Sequence, residues 1–178
     1  MTSITDDILQ WSEYYLEPKN KHLGDVPVCP YAKRARLENK YKIIECHNFA
    51  NFQDDIIKGA TLAKDPNTQI VIVGCDDIGY EPEQLSSVID ILNRVLVPKD
   101  IYLMASHPWD DEEDEPVDFL DTGEWEPTNE FMMVLIQKFD ELEKASDNLR
   151  KTGYYDHWPS DYYEGTVLKR QSYRRYRT

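Results

Sequence analysis

The chain has 178 residues, 40% of them hydrophobic, and a formal net charge of −14. This length suits one domain with a sizeable core and is too short for two. The excess of acid repels phosphate, which disfavours generic binding to nucleic acid or to an anionic membrane but is compatible with a basic protein partner. The sequence has no apolar run that would span a membrane, and the acids within residues 1–20 do not fit a secretory signal peptide. We therefore expect a cytoplasmic protein.

The first predicted elements are two helices separated by a loop. Residues 5–17 predict an amphipathic helix, because Ile8, Trp11 and Tyr15 fall on one stripe. Further along, the good helix formers of residues 31–37 predict a second, short helix.

Cys29 lies directly before this short helix and is followed by Pro30. We expect its thiol near the N-terminal end of the helix, where backbone N–H groups and the helix dipole would lower the pKa of Cys29. Cys46 and Cys75 lie far from it in sequence and no CxxC motif occurs. The three cysteines therefore predict reduced thiols rather than a disulfide framework.

The middle of the chain alternates strands with helices. Apolar runs predict strands over 41–47, 69–75 and 100–106, and helical periodicity predicts helices over 51–64 and 83–96. Strands joined by helical crossovers should lie parallel, with their carboxyl ends at one edge of the sheet. Ligands bind at that edge in open α/β sheets, so we expect any functional site there.

Residues 107–127 show no clear period and include six consecutive acids at 110–115, which predict an exposed loop. A long helix is then expected over 129–151. The fold class that follows is a single α/β sandwich with a small, mostly parallel sheet and a long C-terminal helix. A ferredoxin-like variant would need a fourth strand, for which 116–121 is the candidate.

Residues 154–178 change in character and form an arm that follows a domain over 1–153. The arm is rich in tyrosine and arginine and has no acid after Glu164. It could dock on the acidic body of its own domain, because aromatic groups seek burial and opposite charges attract. It could instead bind RNA or another protein, with Tyr173, Arg174 and Arg175 as the contacting residues.

Two kinds of reactive site are compatible with the residues that follow the strands. In a thiol site, Cys29 would be the nucleophile and His107 its base, with Asp76 or Asp77 orienting the imidazole. In a metal site, thiolate and imidazole ligands would suit zinc. The ligands of that zinc site would be Cys46, His47 and Cys75, although each cysteine could equally be a small apolar core residue.

Charged residues suggest two further sites. Arg34 and Arg36 follow Cys29 closely and could hold a small anionic substrate, or could pair with the abundant acids of the protein itself. The acids Asp110, Asp111 and Glu112 open the acidic block and could contact a basic partner.

Short motifs around Cys29 and His107 resemble an uncharacterised bacterial domain family. That family has a Leu-Cys-Pro-Phe-Ala-like motif, matched here by Val28 to Ala32, and a Phe-His-Pro-like motif, matched by Ser106 to Pro108. Ser106 departs from the family's aromatic residue. The resemblance implies that Cys29 and His107 act as a pair and implies no particular reaction.

Two hypotheses about function follow. The first is a thiol-dependent or metal-assisted hydrolase or transferase with its Cys–His site at the carboxyl edge of the sheet. The second is a non-catalytic interaction protein that acts through the acidic loop and the arm. In acidity, tyrosine content and size the chain also resembles accessory proteins of tailed phages, which would imply the host cytoplasm as its location.

Overall fold

The computed structural model describes residues 2–110 and 128–177 and shows a single α/β domain. Its strands are β1 (Lys19–Asn20), β2 (Val26–Pro27), β3 (Tyr41–Cys46), β4 (Ile70–Cys75), β5 (Ile101–Ser106) and β6 (Met132–Lys138). Its α-helices are α1 (Ile4–Trp11), α2 (Ala32–Leu37), α3 (Phe52–Leu62), α4 (Pro82–Leu96), α5 (Phe139–Lys151), α6 (Ser160–Tyr163) and α7 (Lys169–Ser172). Short π-helical segments extend α1 over Ser12–Leu16 and join α6 to α7 over Glu164–Leu168.

The main sheet of the described residues has four strands in the order β3-β4-β6-β5. Strands β3 and β4 are parallel, with Cys46 paired to Cys75 in the register. Strand β6 is antiparallel to both β4 and β5. The three strands expected from the sequence therefore run in one direction, as predicted, but β6 separates β5 from the other two and makes the sheet mixed.

The helix expected over 129–151 forms only from Phe139 onward, because Met132–Lys138 is strand β6. Residues 132–136 are all apolar and all buried, since they lie in the centre of the sheet between two neighbours and under helices on both faces. A continuous apolar run of this kind fits a buried strand and a buried helix equally well. The other candidate for a fourth strand, 116–121, lies outside the described residues.

The two faces of the sheet carry different helices. Helices α3 and α4 cover one face, where Phe52, Ile56 and Leu85 pack on alternate residues of the strands. Helix α1 covers the opposite face through Ile4 and Ile8. Beside it, α5 and the arm pack on Tyr102 of β5, through the buried residues Phe139 and Tyr173. The arm therefore completes the second face of the domain.

Candidate functional site

A cavity of about 830 Å³ extends from the face of the sheet that carries α1, past the edge strand β5, to helix α4. Its floor includes Met133 and Leu135 of β6 and Met104 of β5. Its walls come from the N-terminal helix, the loop around Cys29, helices α4 and α5, and the arm. We call this space the arm cavity, because residues after Gly153 supply a large part of its wall.

Aromatic rings contribute to the walls from two segments of the chain. The N-terminal segment contributes Trp11 and Tyr15, whose rings stack with centroids 5.8 Å apart. The arm contributes a cluster of rings that also pack on one another, consisting of Tyr154, Tyr155, Trp158 and Tyr162. We call these four residues the arm cluster. Such a wall suits ligands with apolar or aromatic surface.

Cys29 lines the arm cavity and is held there by its backbone and by the arm. Its N–H donates to the carbonyl of Leu16 at 3.0 Å. The hydroxyl of Tyr154 donates to the carbonyl of Val28 at 2.8 Å and also to that of Pro27. The arm thus fixes the loop that presents the thiol.

The environment of Cys29 favours the neutral thiol. Burial raises the pKa of Cys29, and the backbone N–H groups of Tyr31 and Ala32 act against this rise without cancelling it. The expectation of a lowered pKa was therefore wrong, because the loss of solvent outweighs the two donors at the start of this short helix. At neutral pH the group is a thiol rather than a thiolate.

His107 also lines the arm cavity, and both of its ring nitrogens are bound to backbone groups. Nε2 lies 2.8 Å from the carbonyl oxygen of Tyr80, and Nδ1 accepts the N–H of Trp109 at 3.1 Å. These partners require a neutral ring with its proton on Nε2. His107 is buried and ties the end of β5 to the loop before α4. The structure thus places Cys29 and His107 on one cavity, while the imidazole is engaged elsewhere.

The two candidate carboxylates, Asp76 and Asp77, bind residues that directly follow β3. Asp76 Oδ2 lies 2.8 Å from His47 Nδ1, and Asp77 accepts the N–H of Phe49 at 2.8 Å. The carboxylate of Asp76, and to a smaller extent that of Glu45, raises the pKa of the exposed His47. The imidazole that a carboxylate orients here is that of His47 rather than that of His107.

The three proposed zinc ligands do not converge, because Cys46 and Cys75 lie side by side in the core while His47 lies outside it. The thiols of Cys46 and Cys75 are buried and donate to the carbonyls of Asn48 and Asp77, at 3.2 and 3.4 Å. Burial raises the pKa of Cys46, and that of Cys75 to about 12, which opposes metal binding by thiolate. His47 is exposed instead. Over residues 2–110 and 128–177, no group of three His, Cys, Asp or Glu side chains could hold a metal ion.

The two arginines after Cys29 pair with acids of the protein itself. Arg36 binds Glu17 through two hydrogen bonds of 2.7 and 3.0 Å, which fasten α2 to the N-terminal segment. Arg34 is exposed and lies 2.7 Å from Glu38, one helical turn away. Arg36 is thus committed to a structural pair, and Arg34 to a surface one.

The arm docks on its own domain. Two of the three arm residues that were expected to bind a partner contact this domain instead. Tyr173 is buried and its hydroxyl donates to Asp90 at 2.6 Å. Arg174 pairs with Glu143. Arg175 is exposed and lies over the ring of Tyr176, 4.9 Å from its centroid.

The acids expected to meet a basic partner lie only partly within the described residues. Asp110 is exposed, and its carboxylate accepts the N–H of His107 at 2.9 Å. Asp111 and Glu112 lie outside the described residues.

The arm cluster and Ala145, which line the same cavity, were missed as site residues. The sequence did carry a signal for the cluster, since four aromatic residues fall within 154–162. Their link to Cys29 spans more than 120 residues, and sequence periodicity does not report a contact at that distance.

Comparisons of the chain with family models, with curated proteins and with solved structures found no match. The resemblance of the motifs at Cys29 and His107 to a bacterial domain family therefore stays a prediction. In the described part of the chain, no helix combines the length and the apolar character needed to cross a membrane.

Proposed function

We propose that this protein binds a small organic molecule in the arm cavity. The observation that carries this proposal is the cavity itself, whose volume of about 830 Å³ falls within the range of ligand sites in proteins. Its walls are mainly apolar and aromatic, with polar groups such as Gln137 and Ser146 and charged groups such as Lys138 among them. Walls of this composition bury most of a ligand and use the polar groups to orient it.

The contacts around Cys29 support binding more than catalysis. A nucleophilic thiol needs a base or a lowered pKa, whereas burial raises the pKa of Cys29. The expected base, His107, gives its two nitrogens to the backbone of Tyr80 and Trp109. Cys29 then acts as one neutral group in the wall of the cavity.

A fluorescent neutral probe, N-phenyl-1-naphthylamine, tests the proposal. The wild-type protein should enhance its fluorescence saturably, with one site per chain. Ala145 lines the cavity from α5, and its neighbour Lys144 is exposed on the same helix. Ala145→Trp should occupy part of the cavity and weaken the enhancement, while Lys144→Trp should leave it unchanged.

Circular dichroism and thermal unfolding of both variants show whether each is folded. An absence of saturable binding to the wild-type protein would refute the proposal. Equal binding by folded Ala145→Trp would place the probe elsewhere and refute it as well.

Thiol chemistry on the bound molecule is a second candidate function, as a thiol-dependent hydrolase or transferase. It is favoured by one observation, the position of Cys29 in the wall of the same cavity. Alkylation of Cys29 by iodoacetamide, followed by mass spectrometry as a function of pH, tests it. An alkylation rate that rises with an apparent pKa below about 8.5, the pKa of a free thiol, would support this function. A rate that rises only above that pH would agree with the buried thiol.

A further inference from the structure

We infer that the arm cavity binds an uncharged amphipathic molecule, whose hydroxyl or amide end contacts Gln137 and Tyr102; this inference rests on the proposed function. It depends on the position of these two side chains, on their lack of partners in the described part of the chain and on the pairing of the charges around them.

Gln137 and Tyr102 are direct neighbours across strands β6 and β5. The antiparallel register pairs the two residues, which brings their Cβ atoms to about 5 Å from each other. Gln137 alternates along β6 with Leu135 and Met133, so it lies on the face of the sheet that forms the cavity floor. Both members of the pair line the cavity. One polar group of a ligand can therefore reach both side chains.

Both polar side chains keep unused hydrogen-bonding capacity. Within residues 2–110 and 128–177, neither the amide of Gln137 nor the hydroxyl of Tyr102 takes part in a hydrogen bond. Tyr102 is only 5% exposed, and buried hydroxyl groups are normally hydrogen-bonded. The enclosed polar atoms without a partner in the described part of the chain belong to Thr2 and Trp158, so the Tyr102 oxygen is still accessible. A ligand in the cavity can thus use the donors and acceptors of both groups.

Apolar side chains adjoin this polar pair on the cavity floor. Met104 and Leu135 lie two residues away from the pair in their strands, on the same face of the sheet. The ring of Trp11 adds further apolar surface to the wall. A ligand with its polar end at Gln137 and Tyr102 can therefore bury an apolar body on the remaining surface.

The charges of the described wall are paired or solvated, which favours a ligand without charge. Three ion pairs neutralise the lysines and the arginine of this wall, namely Lys138–Glu141 at 3.3 Å, Lys169–Asp90 at 3.5 Å and Arg170–Glu143 at 2.6 Å. The other acids of this wall, Asp110 and Asp161, are exposed, so that water solvates them. A charged ligand would lose its own water without gaining a free counter-charge, which costs binding free energy.

A pair of probes with nearly the same shape tests the role of the hydrogen-bonding end. The compounds 2-naphthol and 2-methylnaphthalene carry a hydroxyl or a methyl group at the same position of the same ring system. Displacement of N-phenyl-1-naphthylamine from the full chain measures both affinities. The hydroxyl compound should bind about fivefold more tightly or better, because the methyl compound leaves the two polar groups of the site unpaired.

Gln137→Met and Tyr102→Phe remove these polar groups with little change in side-chain length. Each variant should reduce the preference for 2-naphthol by about threefold or more, and should leave the affinity for 2-methylnaphthalene within about twofold. Gln171→Met is the control, because Gln171 lies in the arm without lining the cavity, and it should alter neither affinity. No preference for 2-naphthol in the wild-type protein, or a preference that both cavity variants retain, would overturn this inference.

The probe 8-anilinonaphthalene-1-sulfonate tests the requirement for an uncharged ligand, because it adds one sulfonate to the ring system of N-phenyl-1-naphthylamine. It should bind about tenfold more weakly than the neutral probe or worse, since the sulfonate finds no free counter-charge in the described wall. Equal affinity of the two probes would overturn this inference and leave the proposed function standing. A lack of saturable binding by every probe, N-phenyl-1-naphthylamine included, would overturn the proposed function as well.

Discussion

The side-chain amide of Asn93 forms two hydrogen bonds with the backbone of Leu103. Its Nδ2 donates to the carbonyl of Leu103 at 2.9 Å, and its Oδ1 accepts the N–H of Leu103 at 2.8 Å. Leu103 lies in β5, an edge strand of the sheet. The amide of Asn93, buried in α4, thus occupies the place that the backbone of a further strand would take.

Replacing Asn93 by Leu keeps the number and branching of the side-chain heavy atoms and removes both hydrogen bonds. The N–H and the carbonyl of Leu103 would then be buried without partners, and we expect a loss of about 2–4 kcal/mol in the free energy of unfolding. Urea denaturation measures this loss. The matched change Asn67→Leu, at an exposed turn, should alter stability by less than about 0.5 kcal/mol. A similar effect at both positions would contradict the role given to Asn93.

The buried carboxylate of Asp7 holds the chain where it enters β6. It accepts the backbone N–H groups of Thr128 and Asn129 at 3.2 and 3.1 Å, and the side-chain amide of Asn129 at 2.7 Å. Asp7→Asn replaces one acceptor oxygen by a donor that faces these N–H groups, and should cost about 1.5–3 kcal/mol. Thermal unfolding checks the change against Asp54→Asn, which removes an exposed carboxylate. Equal melting temperatures for the two variants would show that the Asp7 contacts contribute little.

The arm is fastened by a buried ion pair between Arg170 and Glu143. Arg170→Met leaves Glu143 with only the partly exposed Arg174, and should cost about 2–4 kcal/mol because a buried charge loses a partner. Removing both charges in the double variant Glu143→Met/Arg170→Met should restore part of that loss. Urea denaturation compares these variants with Arg175→Met, an exposed change that should have little effect. No recovery in the double variant would contradict the ion-pair explanation.

Buried tyrosines should make the protein lose stability in alkali. Burial raises the pKa of Tyr41 and of Tyr102 to about 12, from an ordinary value of 10.0. Unfolded chains release these protons first, so the stabilisation is complete below about pH 10 and is lost as the pH rises towards 12. Absorbance at 295 nm should show tyrosines that ionise only near that upper limit.

Tyr102→Phe provides the check on this alkaline loss, because it removes one of the tyrosines whose pKa burial raises. Its free energy of unfolding should fall less steeply with pH between 10 and 12 than that of the wild-type protein. An unchanged slope would exclude Tyr102 as a source of the effect.

The strands β3, β4 and β5 could be predicted because each is an apolar run next to a helix with a clear period of 3.6 residues. Strand β6 could not, since Met132–Lys138 continues into a helix without a turn residue between them. Its apolar stripe joined that of the helix, and only its pairing with β4 and β5 shows that the backbone is extended.

For the candidate site, Cys29 and His107 both line the arm cavity, but the groups that they contact could not be predicted from the sequence. The acceptor of His107 is the carbonyl of Tyr80, and the ring that fixes the Cys29 loop belongs to Tyr154. Every residue has a backbone carbonyl, so residue types do not show which carbonyl accepts a given hydrogen bond. Neither contact could therefore be predicted from the sequence.

Local spacing of apolar residues by itself determined the α/β class and the direction of three strands, because these depend on neighbours a few residues apart. Tertiary packing decided the position of β6, the docking of the arm and the protonation of Cys29. Those features depend on burial, because segments far apart in sequence exclude water from one another when they pack together. Burial is a property of the folded chain, and no single stretch of the sequence determines it.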